Sequence, residues 1–199
     1  MTLSKIDTWI KAGYKLLGTE GMDGIKVERI AKILELNKSG FYHYFGTMER
    51  FVKRLLQFHA ELATTVASKV AKCESIDPDL LLLIVEHRAF FLVDAQLLVK
   101  GRPAQGEDVK KAGRIVNDEL LLLWERTGNV PEDSSAALGF LDIIRHFFYA
   151  RMDAENVSYE FLQGLSAETQ DVLSKIMMDK HVSSHHPEGP VSTSKRNLS

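Results

Sequence analysis

A short polar and aromatic stretch of this sequence, Lys38-Ser39-Gly40 followed by Tyr42-His43-Tyr44, is well suited to binding another molecule. Phe41 and Phe45 are one helical turn apart within it, so a helix over about residues 38–45 would turn both towards a core. The other side chains would face outward and supply a cation, hydroxyl groups, a ring nitrogen and bare backbone. Such groups at the N-terminal end of a helix can bind phosphate oxygens and base edges.

The residues just before this stretch predict another helix and a tight turn. Ile30, Ala31 and Leu34 mark one apolar helical face, and Glu35-Leu36-Asn37 forms a polar corner around one apolar residue. Two helices joined by three or four residues form a helix-turn-helix, whose second helix can enter the major groove of DNA. These residues favour DNA binding over a small three-helix bundle that happens to expose aromatic side chains.

Charge is distributed unevenly along the chain. The net charge is −2, yet residues 1–58 contain ten Lys or Arg residues and six Asp or Glu residues, whereas the remainder contains fifteen and twenty-one. A basic N-terminal piece on an acidic body is expected of a small DNA-binding head.

Three segments resemble the signature of TetR-family transcriptional repressors: Ile30-Ala31-Lys32, Leu36-Asn37-Lys38 and Phe41-Tyr42-His43-Tyr44-Phe45. Segments 9–17 and 48–55 also fall where the first and fourth helices of that family would. The resemblance implies an operator-binding head and a variable helical C-terminal domain that dimerises and usually binds a small inducer. The chain departs from the family's usual residues at three positions, which are Lys26 (often Thr or Ser), Glu35 (usually Gly) and Met48 (often Lys).

The DNA-binding residues are expected along the recognition helix and at the start of the helix before it. Lys26 adds one phosphate contact to the family pattern, while Met48 removes one. The predicted set is Lys26, Asn37, Lys38, Ser39, Gly40, Tyr42, His43 and Tyr44.

Hydrophobic periodicity predicts an all-α protein, because no strand-like alternation of any length is present. A long fourth helix, from about Met48 to Lys72, is expected to join head and body, and the nearly all-apolar stretch 79–99 predicts one central buried helix. Whether the last pattern, residues 158–181, forms one kinked helix or two stays open. The predicted domains are a helix-turn-helix head (1–46), a ligand-binding and dimerisation body (47–181) and a disordered tail (182–199).

The body is expected to bind a small, largely apolar effector. His87 lies between Glu86 and Arg88 inside an apolar helix, where a polar group could anchor a ligand, complete a core network or sit in an exposed turn. His59, beside the stripe of the fourth helix, is equally consistent with a structural and a functional role. The predicted ligand-binding residues are Leu62, Val66, His87, Phe90, Phe91, Asn117 and Trp124.

The last two body helices, about Glu132–Met152 and Tyr159–Lys180, have apolar stripes wide enough to need a second partner. A symmetry-related copy covers such stripes most simply, and the resemblance implies the same pairing as a four-helix bundle. The predicted homodimer interface is Phe140, Ile144, Phe147, Phe148, Leu165, Val172, Ile176 and Met177.

Enzymatic and metal-binding functions have little support in the sequence. No Gly-rich phosphate loop, Gly-x-Ser-x-Gly or His-Glu-x-x-His motif occurs, so no catalytic residue and no cofactor is predicted. His181, His185 and His186 fit no defined metal site, and a solvated tail is the favoured interpretation. The lone Cys73 excludes an internal disulfide and predicts a buried structural thiol.

The sequence therefore predicts a DNA-binding regulator, most simply a repressor released by a small molecule. The alternatives are an all-helical protein-interaction module and, with less support, a helical enzyme. Charged residues interrupt the most apolar stretch and no signal peptide is evident, so we expect no membrane span and a cytoplasmic protein.

Overall fold

The structure, a computed structural model, describes residues 4–100, 107–127 and 134–183. Within these ranges, side chains are described except at 100, 107–108, 134–136, 173–174 and 176–183. The described residues are helical without a strand, as the periodicity predicted, and fall into two compact units, 1–163 and 164–199. The helices are α1 (Lys5–Glu20), α2 (Val27–Leu34), α3 (Lys38–Phe45), α4 (Met48–Val70), α5 (Leu81–Glu86), α6 (Arg88–Ala95), α7 (Glu107–Arg126), α8 (Ser134–Arg151) and α9 (Tyr159–Ser183). None of these described helices is both long and apolar enough to cross a lipid bilayer.

The helices of the head begin and end at residues whose side chains or backbones satisfy the free helix ends. Ser4 and Asp7 form a reciprocal capping box at the start of α1. Thr47 accepts a hydrogen bond from the backbone N–H of Arg50 at the start of α4. Gly21 and Gly46, both at positive φ, end α1 and α3. Local sequence therefore determines where these helices lie in the chain.

An aromatic cluster holds the head together. Phe41 of α3 is fully buried and lies 5.5 Å from Trp9 of α1 and 5.1 Å from Phe51 of α4, measured between ring centroids. Phe45, 7% exposed, lies 4.8 Å from Phe51. The prediction that the two phenylalanines of α3 face the core is confirmed. The same apolar cluster continues into the body through Val93 and Leu97, which packs the head directly on α6 and the turn after it.

The body has a second apolar cluster, to which α4 to α8 contribute. The C-terminal half of α4 packs along α7 and buries Ala63, Val66 and Val70. Cys73 is a buried free thiol, as predicted, and burial raises its pKa.

The predicted single helix over residues 79–99 is wrong, because the chain breaks at His87. That residue leaves helical geometry (φ −103°, ψ 26°), so α5 ends at Glu86 and α6 begins at Arg88. The break lets Glu86 and Arg88 reach solvent, and Glu86 pairs with Lys69 at 2.5 Å. Three consecutive polar residues in a buried helix would otherwise leave charges in the core.

The last pattern forms one helix, α9, from Tyr159 to Ser183. Residues 182 and 183 belong to this helix, and the rest of the predicted tail lies outside the described residues. The predicted domain boundaries at 46/47 and 181/182 stay predictions.

Candidate nucleic-acid interface

The recognition helix predicted at about 38–45 is α3, with the same bounds. In the turn before α3, Glu35 follows the end of α2 and has the left-handed conformation, with φ 54° and ψ 37°. The Leu36 N–H donates to the Ala31 carbonyl at 2.9 Å and the Glu35 N–H donates to the Lys32 carbonyl at 3.3 Å. These two bonds are the Schellman pattern that usually requires Gly. Glu35, which departs from the family's usual Gly, therefore keeps the turn at a cost in backbone strain.

The outer face of α3 presents most of the predicted DNA-binding side chains together. Tyr42 is 53% exposed, and Lys38, Ser39 and His43 are also exposed. Tyr44 is only half-buried and its ring packs against His43 and Phe45, so it is less available than Tyr42. The face thus offers an ammonium group, hydroxyls and an imidazole side by side, which are donors and acceptors suited to phosphates and base edges.

Asn37 also has a structural role, which was not predicted from the sequence. Its side-chain oxygen accepts a hydrogen bond from the Ser39 N–H at 3.0 Å, which caps α3. The carboxamide oxygen is therefore already engaged, although the residue is exposed. Lys26 is the exposed residue that precedes α2, and its side chain does not cap that helix.

Lys38 is paired across the two helices of the motif. Its Nζ lies 3.1 Å from Oε1 of Glu28 on α2, and both side chains are more than half exposed. Hydrogen bonds from the backbone N–H of Glu28 and from Lys38 hold the pKa of the Glu28 carboxyl below its ordinary value. A carboxylate on this face opposes an anionic ligand, and sequence analysis missed it because ten residues separate the partners.

Gly40 leaves the backbone of α3 open on this face. A Cβ built there has Tyr44 Cε2, at 4.0 Å, as its nearest neighbour among the described residues. Packing among the described residues therefore does not require Gly at this position. A helix backbone without a side chain can approach a ligand closely, which is a reason for Gly that the folded protein alone does not supply.

Residues predicted to bind a small molecule lie in or beside the body core. Val66, Phe90, Phe91 and Trp124 are buried, whereas Leu62 is partly buried and packs against both clusters. His87 Nε2 is buried without a hydrogen-bond partner among the described residues, and burial lowers the pKa of this imidazole. Asn117 accepts a hydrogen bond from Arg145 of α8 at 2.9 Å.

Sequence reasoning left His59 undecided and missed its partners altogether. The Tyr14 hydroxyl lies 2.7 Å from His59 Nδ1, His59 Nε2 lies 3.3 Å from Asp94 Oδ1, and the Tyr149 hydroxyl donates to Asp94 Oδ2 at 2.6 Å. We call these four residues the polar chain. A carboxylate inside an apolar segment was the one available signal, because a buried charge requires partners.

Three of the four predicted dimer residues of α8 share an outward face. Phe140, Ile144 and Phe147 are partly exposed, whereas Phe148 packs against the body core. Ile143, which the prediction omitted, is 65% exposed on the same face. In the other compact unit, Leu165 is buried and Val172 is 52% exposed. The side chains of Ile176 and Met177 lie outside the described residues.

The fold and this surface define a helical protein with an N-terminal helix-turn-helix. Residues 10–55 match the family model for bacterial regulatory proteins of the tetR family. No curated protein matches the sequence. PfmR, a TetR-family transcriptional regulator from Thermus thermophilus, has a similar structure: the TM-score is 0.53 at 16% identity, over 86% of this chain and 98% of that one. At such low identity this likeness concerns the fold.

Two further solved structures give lower similarity. A proposed TetR-family regulator from Rhodococcus sp. has a TM-score of 0.47 at 15% identity, over 87% of this chain and 96% of that one. Another, from Mesorhizobium loti, has a TM-score of 0.45 at 13% identity, over 86% and 96%. The family-model match confirms the resemblance in the head, over residues 10–55, and this match supports a DNA-binding transcriptional regulator.

Proposed function

We propose that this protein is a sequence-specific, non-enzymatic, cytoplasmic DNA-binding regulator, and that it represses transcription until a small molecule binds the body. The observation that carries the proposal is the outer face of α3, where Lys38, Tyr42 and His43 are exposed beside the open backbone of Gly40. The buried phenylalanines behind that face fix its direction relative to the rest of the head. Lys26 and the free groups of Asn37, Ser39 and Tyr44 complete the proposed DNA contacts.

A dimer is part of the proposal because one short recognition helix reads few base pairs. Phe140, Ile143, Ile144 and Phe147 follow the spacing i, i+3, i+4, i+7 and form one exposed or partly exposed apolar face of α8. A second copy of the chain would cover it through a two-fold axis and bring two heads to one pseudo-palindromic operator. Phe148, Leu165, Val172, Ile176 and Met177 are the other proposed interface residues.

The proposed effector site lies in the body, among Leu62, Val66, Phe90, Phe91 and Trp124, with His87 and Asn117 as polar anchors. His87 Nε2 supports this assignment. It is buried without a hydrogen bond among the described residues, with Glu86 Oε1 3.5 Å away, and such an atom gains from a ligand that supplies a hydrogen bond. Reciprocal coupling requires that operator DNA weaken effector binding by the factor by which the effector weakens DNA binding.

A gel shift with the DNA upstream of the protein's own gene tests the core of this proposal. We expect binding that falls steeply as salt rises, because phosphate contacts release counterions. Lys38→Ala should weaken binding of all sequences about equally if Lys38 meets a phosphate. If Lys38 reads a base edge, the substitution should instead relax specificity by roughly 1–3 kcal/mol.

Lys69→Ala is a matched control for that variant. Lys69 is also partly exposed and paired with a glutamate, Glu86, but it lies in the C-terminal half of α4, away from α3. The control should leave DNA binding unchanged. DNA binding that does not depend on salt concentration would contradict a DNA-binding face centred on α3. An equal loss of affinity in Lys69→Ala and Lys38→Ala would contradict it as well.

A further inference from the structure

The polar chain is buried from end to end and joins four helices. Tyr14, His59, Asp94 and Tyr149 are each at most 4% exposed and lie on α1, α4, α6 and α8 respectively. One end therefore belongs to the first helix of the head and the other to the body helix with the exposed apolar face. The three links span 45, 35 and 55 residues of sequence.

The geometry of these groups is satisfied by a continuous run of hydrogen bonds. Burial and Asp94 raise the pKa of both tyrosine hydroxyls well above the ordinary value, so each keeps its proton. Tyr149 donates to one oxygen of Asp94, and the other oxygen, as an acceptor, requires a proton on His59 Nε2. With its proton on Nε2, His59 has a bare Nδ1 that can accept a hydrogen bond from the Tyr14 hydroxyl.

The surroundings leave His59 little freedom to find other partners. Its ring stacks on Phe90 of α6, with centroids 4.7 Å apart and an angle of 13° between the rings. Phe58 packs edge-on against Tyr14 at 5.0 Å. The His59–Asp94 link, at 3.3 Å, is the longest of the three and slightly exceeds the ordinary N–H···O range. A shift of α6 relative to α4 would change this link directly, and a shift of α8 would act on it through Tyr149 and Asp94.

We propose that Tyr14, His59, Asp94 and Tyr149 form a proton-ordered tether through which the position of α8 in the body sets the position of α1 in the head. The tether also adjoins the proposed effector site, because Arg145, one turn before Tyr149 on α8, donates to Asn117. A ligand that engages Asn117 would compete with Arg145 and so disturb α8. The expected effect on DNA binding rests on the proposed function, whereas the coupling between α8 and α1 does not.

Tyr149→Phe removes one hydroxyl at the body end and tests the coupling without DNA. Hydrogen exchange of the full chain should become faster in α1 as well as in α8, by roughly 10- to 150-fold for the loss of a buried bond to a carboxylate. Tyr159→Phe is the matched control, since its hydroxyl also donates to a carboxylate, that of Asp77, at 2.5 Å outside the polar chain. The control should leave α1 unchanged.

Two further readouts separate a tether from simple packing. The ¹⁵N NMR signals of the imidazoles should show His59 protonated at Nε2, and Tyr149→Phe should move these signals although Tyr149 does not bond to His59. Tyr14→Phe removes the hydroxyl at the head end of the polar chain and should in turn make hydrogen exchange in α8 faster. If Tyr149→Phe fails to fold, Tyr14→Phe alone decides the matter by the same exchange measurement in α8.

Faster exchange confined to the helix that holds the substitution, or a His59 protonated at Nδ1 alone, would overturn the proposal. The effect on DNA binding is measured in a separate experiment. If the unsubstituted protein binds operator DNA, Tyr149→Phe should change that affinity and Tyr159→Phe should not. Failure of the unsubstituted protein to bind any DNA would overturn the proposed function, while the exchange results would still decide the tether.

Discussion

Gly40→Ala should make the protein more stable and yet a weaker DNA binder. The third residue of α3 has room for a methyl group, because the nearest described atom to a built Cβ is Tyr44 Cε2 at 4.0 Å. Replacing Gly by Ala at such a position reduces the freedom of the unfolded chain and stabilises by about 0.4–1 kcal/mol. For a protein of this size the melting temperature should rise by roughly 1–4 °C.

The same methyl group should obstruct the complex with DNA. If the backbone of α3 approaches the major groove at Gly40, a Cβ there separates the helix from its contacts. Loss of about 1.4 kcal/mol corresponds to a tenfold loss of affinity, and we expect at least roughly that much. Stability is measured by thermal unfolding followed by circular dichroism, and affinity by fluorescence anisotropy with a labelled operator.

Gly113→Ala on α7 is the control for this experiment. Apart from its chain neighbours and the backbone of α7, no described atom lies within 4 Å of a Cβ built at Gly113, so this substitution should also be tolerated in the fold. It should leave DNA affinity unchanged. Unaltered DNA affinity in Gly40→Ala would refute close approach of the backbone at this residue, and a lower melting temperature would refute the inference of open space.

Three other substitutions in the head have distinct expected results. Glu28→Gln should raise DNA affinity and steepen its salt dependence, measured by gel shift, because it removes a carboxylate from the proposed DNA face and frees Lys38. Phe41→Ala should cost roughly 3–5 kcal/mol in urea unfolding, whereas Tyr42→Phe should keep stability and lower DNA affinity; normal binding by the Tyr42 variant would exclude a hydroxyl contact. Glu35→Gly should stabilise the head by about 1 kcal/mol in urea unfolding by relieving the left-handed conformation, and no gain would mean that Glu35 is unstrained.

The head could be predicted from sequence because its signals are local. Phe41 and Phe45 define the inner face of α3, and Asn37 and Gly46 stand at its two ends, so both the bounds and the orientation follow from eight consecutive residues and their neighbours. The turn was less predictable. Glu35 is a poor residue for a left-handed position, and tertiary packing of the two flanking helices overrides that preference.

The body was predicted less well, because its deciding interactions are distant in sequence. A nearly all-apolar segment has the same pattern whether it is one helix or two, so periodicity missed the break at His87. The partners of His59 could not be identified either, since each lies at least 35 residues away from the residue it meets. Composition could show that Asp94 needed partners, but only the fold determines which ones.

The proposed dimer through α8 leads to a quantitative prediction for one exposed side chain, that of Ile143. Ile143 is 65% exposed at the centre of the apolar face, so an interface there would bury most of a side chain that the single chain leaves in water. Burying a large aliphatic side chain contributes about 1.5–3 kcal/mol, and the exposed part of Ile143 accounts for roughly 1–2 kcal/mol of that. In a two-fold dimer each substitution occurs in both copies, so the lost burial energy is about 2–4 kcal/mol per dimer.

Ile143→Asp should therefore weaken the dimer by roughly 30- to 700-fold from lost burial alone, and further because a carboxylate would meet its own copy. Sedimentation velocity across a range of protein concentrations measures the shift from dimer to monomer, and circular dichroism checks that the helices are intact. Leu82→Asp is the control, because Leu82 is 51% exposed on α5, away from this face, and its replacement should leave the dimer unchanged. An Ile143→Asp variant that stays dimeric at all concentrations would locate the interface elsewhere. A folded monomer that still binds a full operator tightly would show that pairing of two heads is not the source of affinity.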